Sequence, residues 1–80
     1  MGISLWQLPL RQPGVVKEIN LEHVTKERLH SLGLMQDTRI IPTKVAPLGC
    51  PRMYRFLNTC VAIRNDIAKQ IVVETSTSNG

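Results

Sequence analysis

The chain has 80 residues, 42% of them hydrophobic and 20% charged, with a formal net charge of +4. That length builds one small domain with a single core, because such a chain buries only about 60% of the surface its unfolded form exposes. An enclosed catalytic cavity has little room, and no apolar run approaches the roughly 20 residues of a bilayer span.

The opening "MGISLWQLPLRQPG" lacks the basic leader and long apolar stretch of a secretory signal. With two cysteines, Cys50 and Cys60, the expected setting is a reducing cytoplasm. The positive charge favours an acidic partner, yet the basic residues are spread from Arg11 to Lys69 without a block. Such a charge is also ordinary for a soluble domain.

Along the chain, "SLWQLPL" (4–10) is apolar but too short to assign. "RQPG" reads as a turn, Pro13 fixing φ and Gly14 supplying a left-handed position. "VVKEINL" is a first strand, with Val15, Lys17 and Ile19 on one side and Val16 and Glu18 on the other. "HVTKERLHSLGLM" is a helix. Thr25 is its expected N-cap, Val24 and Leu29 its hydrophobic staple, and Glu27 the acidic residue of its first turn. Gly33 fits the left-handed position beyond its end, with Leu34 folding back onto Leu29 in a Schellman stop. About two turns do not stand alone in water, so Leu29 and Leu32 are expected to face a core.

"TRIIPTKV" is a strand in which Pro42 implies an edge or a bulge. An edge there leaves open a monomer or a weak homo-oligomer paired through it. "RMYRFL" and "CVAIR" form a hairpin around Asn58-Thr59. "NDIAK" is one polar-capped turn and "QIVVE" a last strand. Many short strands with one clear helix suggest a mainly β fold, a small barrel closing on itself. Residues 1–74 form the single domain, and "TSTSNG" (75–80) is expected to fray as a disordered tail.

The survey for chemistry finds no phosphate-cradling G-x-x-x-x-G-K-[ST] loop, no H-E-x-x-H and no paired C-x-x-C. No enzyme and no cofactor are expected. His23, His30, Cys50 and Cys60 are the candidate metal ligands, but their spacing is not that of a zinc module. Cys60, alternating with Val61, reads as a small core hydrophobe. Tyr54 and Phe56 share one strand face with Arg52 nearby. That is the pattern of a stacking platform for single-stranded nucleic acid, but also of a core pair, and no nucleic acid is expected.

Three segments, "RLHSLGL" (28–34), "VAPLGCP" (45–51) and "VAIRNDIAKQIVV" (61–73), together resemble the FeoA family of small bacterial ferrous-iron uptake proteins. The similarity covers about residues 15 to 74 and falls on Arg28, Leu29, Leu32 and Gly33. It continues through Ala46, Pro47, Leu48, Gly49 and Pro51 to Arg64, Ala68, Ile71 and Val73. It implies an SH3-like barrel of about five short strands with one or two short helices. It also implies an accessory role toward the membrane transporter FeoB, through that transporter's cytoplasmic GTPase domain.

Cys50 stands where the family has Asp, and Asp37 and Asn58 replace common glycines. Asp and Asn tolerate positive φ, whereas Cys50 removes a carboxylate from the corner. Gly33, Leu34, Met35, Pro47, Leu48 and Gly49 are the candidate partner-binding residues. A regulatory SH3-like module acting in trans, as in iron-dependent repressors, and a small basic nucleic-acid-binding barrel are the alternative functions.

Overall fold

A computed structural model describes residues 2–75. Six antiparallel strands form one sheet: β1 (Ile3–Ser4), β2 (Gly14–Ile19), β3 (Arg39–Val45), β4 (Arg52–Phe56), β5 (Thr59–Ile63) and β6 (Ile71–Thr75). Their order is β1-β6-β2-β3-β4-β5. Helices α1 (His23–Ser31) and α2 (Asn65–Ala68) lie between β2 and β3 and between β5 and β6, and a 3-10 turn, Leu5–Gln7, follows β1. The fold is therefore mainly β, with one strand more than the sequence suggests.

The sheet does not close by pairing its first and last strands. Instead, the buried Arg52 of β4 reaches across to donate to the carbonyls of Trp6 and Leu8, the latter at 2.7 Å. The enclosed core includes Leu5, Leu8, Val16, Leu34, Ile40, Tyr54, Ile71 and Val73.

Several local expectations change. The left-handed residue of the first turn is Arg11 (φ 67°), in a turn closed by the Gln12 N–H on the Pro9 carbonyl at 3.1 Å. Gly14 instead begins β2 and is small because a Cβ there would meet Leu8 Cδ2 at 3.0 Å and the Glu74 carbonyl at 3.2 Å. Strict alternation in β2 fails at a bulge between Val16 and Glu18, which lets Val16 and Ile19 both face inward.

The helix starts two residues before the expected cap. Glu22 is the N-cap and makes no side-chain bond. Val24 is 62% exposed and Leu32 42%, so neither the staple nor the second inward leucine is realised. Glu27 is not in the first turn but pairs with His23 at 3.2 Å. The C-terminal expectation holds: the Leu34 N–H bonds the Leu29 carbonyl and the Gly33 N–H the His30 carbonyl, both at 2.9 Å. Gly33 has φ 101°.

Pro42 marks a bulge, between Pro42 and Lys44, and not an edge, since β3 lies between β2 and β4. The central residues of the β4–β5 hairpin are Leu57 and Asn58 (φ 50° and 63°), flanked by the pair Phe56 and Thr59. That is one residue earlier than the sequence implies. α2 is capped by Arg64 without a side-chain bond. Of the expected tail, Thr75 ends β6 opposite Gly14, and residues 76–80 lie outside the described residues.

Candidate functional site

The corner between β3 and β4 is built from its prolines and glycine. The Gly49 N–H closes a turn onto the Ala46 carbonyl at 2.8 Å, and the Ala46 N–H bonds the Pro51 carbonyl at 3.1 Å. Pro47 restricts the second residue of that turn, and Gly49 takes φ 88° with nothing within 4 Å of the position a Cβ would occupy. The start of α2 braces the corner from below. Asn65 Nδ2 donates to the Gly49 carbonyl at 2.9 Å, and the Asn65 N–H to Cys50 Sγ at 3.4 Å. Cys50 thus accepts a bond from the neighbouring helix start. At the tip of this braced turn Leu48 is 96% exposed.

The Gly33–Met35 turn is separate. Leu34 is fully buried and so supplies no contact surface, whereas Met35 is exposed. The Thr38 hydroxyl accepts from the Met35 N–H and donates to the Gly33 carbonyl, both at 3.1 Å. Gly33 lies under Leu57, where a Cβ would stand 2.5 Å from Leu57 Cδ1. Leu57 follows the far end of β4 and the corner precedes its near end, with about 13 Å of strand between Arg52 and Phe56. The six candidate contact residues therefore form two surfaces. Met35 also lines an open groove of about 520 Å³ between β2 and α1, with Lys17, Ile19, Lys26, His30 and Gln36.

The four candidate metal ligands are not brought together. His23 pairs with Glu27, His30 lines the groove, Cys50 is at the corner and Cys60 lies opposite Arg55 on β5. Cys60 is exposed, contrary to its expected core position, because it shares with Arg55 and Ala62 the face of the β4–β5 hairpin that no described residues cover. Among the described residues no three His, Cys, Asp or Glu side chains converge.

Tyr54 and Phe56 are buried, so they offer no stacking platform. Arg52, at 7% exposure, lies over the Tyr54 ring at 5.5 Å. Burial raises the Tyr54 hydroxyl above its ordinary value, partly opposed by the Arg52 charge, while Cys50 adds a small upward push. The bridging role of Arg52 was missed from sequence. Its signal is the register R-M-Y-R-F, which puts Arg52 on the same inward face as Tyr54 and Phe56.

This geometry displays an apolar side chain on a hydrogen-bonded turn. FeoA from Chlorobium tepidum shares the fold at TM-score 0.91 and 23% identity, over 98% of this chain and 74% of that one. FeoA from Stenotrophomonas maltophilia, solved with zinc, matches at TM-score 0.75 and 28% identity over 90% and 89%. It is described as a prokaryotic SH3 domain protein proposed to activate ferrous iron transport.

IdeR from T. acidophilum matches at TM-score 0.80 and 18% identity, over 94% of this chain but 34% of its own; that likeness shows the fold alone. No curated protein sequence matches the chain. The FeoA domain model matches residues 3–75, nearly the whole of the described sheet and both helices, and the chain belongs to the FeoA family.

Proposed function

We propose that this protein is a non-enzymatic accessory factor of ferrous iron uptake. It acts in the cytoplasm by docking its Leu48 corner on the GTPase domain of the transporter FeoB. Family membership supports the iron-uptake setting, as does likeness to the Stenotrophomonas protein. The observation that carries the docking face is Leu48, 96% exposed on a turn braced by Asn65. A preorganised contact loses little conformational entropy on binding.

Such a module alters a partner only by binding one of its states better than another. Burying one exposed leucine is worth about 1.5–3 kcal/mol, and about 1.4 kcal/mol is a tenfold shift. A partner pocket for Leu48 that exists in one nucleotide state is therefore enough to move the GTPase equilibrium. The reading invokes no cofactor. Among the described residues no helix is long and apolar enough to cross a membrane, so the transporter would supply the membrane anchorage.

An amide chemical-shift titration of the labelled protein with the GTPase domain, loaded with GDP or with a GTP analogue, tests this. Saturable shifts centred on residues 47–49, with affinities that differ between nucleotides, are expected. Absence of shifts in both states, or equal affinity for both, would contradict it.

A further inference from the structure

The charge that looks scattered in the sequence is segregated in the fold. From Thr38 to Asn65 the chain carries Arg39, Lys44, Arg52, Arg55 and Arg64 and no acidic residue, so all of the excess positive charge resides in the β3–β4–β5 half and the rest of the chain is slightly acidic. Arg52 is buried, and the other four are exposed. The register sets Arg55 beside Cys60 and Ile41, and Met53 beside Ala62 and Lys44, on one outer face. Arg39 and Arg55 also line a common groove of about 270 Å³ with Ile41 and Leu57.

β5 ends the sheet, with β4 as its only hydrogen-bonded neighbour among the described residues. In a hairpin closed by the pair Phe56–Thr59, residues Thr59, Val61 and Ile63 spend their backbone groups on β4. The N–H and C=O groups of Cys60 and Ala62 then point away from the sheet. Thr43 Oγ1 on the Met53 carbonyl at 3.3 Å agrees with this phase, since Met53 must face β3. Three of the usual edge protections are missing from the strand itself: "TCVAI" holds no proline, no charge and no bulge.

We infer that the free edge of β5 is a second binding surface, and that it takes an extended acidic peptide segment of another protein as an added strand. The Cys60 and Ala62 backbone groups supply the hydrogen bonds, and Arg39, Lys44 and Arg55 select the charge, Arg64 being paired with Asp66 at 3.2 Å. A second copy of this chain is a poorer occupant, because its own β5 brings no acid to this basic face. The inference holds whether or not the transporter is the partner, because it rests on the edge and not on Leu48.

The test is selection of decapeptides from a displayed random library on the full-length protein, followed by hydrogen exchange with a selected synthetic peptide. Selected peptides should be acidic and free of proline at alternate positions. The amides of Cys60 and Ala62, fast in the free protein, should slow by about tenfold or more on binding. Ala62→Pro removes an outward N–H but no β4–β5 bond and should weaken binding about tenfold or more. Arg55→Glu, which leaves the backbone alone, should do likewise, while Leu48→Asp should not.

Failure to enrich any peptide, enrichment without acidic character, or binding without protection at residues 60 and 62 would overturn the inference. So would a single-stranded oligonucleotide that displaces the peptide and perturbs this face more strongly. Protection at 60 and 62 that grows with protein concentration alone would assign the edge to self-association instead. Because Leu48→Asp probes the corner separately, loss of one surface leaves the other standing.

Discussion

Arg52 shows how one side chain organises this small core. It is buried without a carboxylate partner among the described residues and donates to the Trp6 and Leu8 carbonyls from more than forty positions away in sequence. Arg52→Met should destabilise the fold by roughly 2–4 kcal/mol, because the buried Leu8 carbonyl and the part-buried Trp6 carbonyl lose a charged donor; urea unfolding measures it. Tyr54 is the complementary case: its hydroxyl has no hydrogen-bond partner among the described residues, and burial holds its pKa above 10.0.

Raising a folded-state pKa means that the unfolded chain releases this proton first. The Tyr54 contribution is thus complete below about pH 10 and is lost as pH rises through the folded value. Alkaline unfolding should therefore be milder in Tyr54→Phe, whose stability at neutral pH should change by less than about 1 kcal/mol since no protein hydrogen bond is lost. Both residues were legible as alternating positions on β4. The long-range partner of Arg52 was not, because register within a strand says nothing about what faces it.

The elements divide by whether local chemistry or tertiary packing decides them. The end of α1 was readable because Gly33 and Leu34 satisfy the last carbonyls by themselves. The start was not, because the helix begins at His23 with no side-chain cap. The positive φ at Asp37 and Asn58 matches their glycine-like positions, whereas Arg11 and Leu57 adopt the same region without a sequence signal.

Leu57 is held there by the hairpin geometry and by its seat over Gly33. Gly33→Ala should cost about 1–2 kcal/mol, from the left-handed backbone and the lost space beneath Leu57. Asn58→Gly should stabilise by up to about 1 kcal/mol, since glycine suits the second position of this turn better. Thermal unfolding of the two variants checks both signs. The bulge in β2 escaped the period-two reading because one inserted residue reverses every later side chain.

At the scale of the molecule, the sequence motifs joined the Leu48 corner and the Gly33–Met35 turn into one candidate surface, whereas the fold sets the two at opposite ends of β4. Adjacency of two surfaces depends on topology, and no motif encodes it. Segregation of charge onto the β3–β5 half was hidden for the same reason, since a scattered list of lysines and arginines does not reveal where the acids are missing. Its kinetic consequence is that association with an acidic partner should slow as salt rises while dissociation changes little, as stopped-flow measurements with a selected acidic peptide would show.

The most direct test of the docking claim is calorimetric affinity for the FeoB GTPase domain, wild type against Leu48→Asp. Leu48 touches so little of its own fold that the variant should unfold at the wild-type temperature. Its affinity should fall about tenfold or more. Equal affinity in a folded Leu48→Asp protein would mean that the corner is not the docking face.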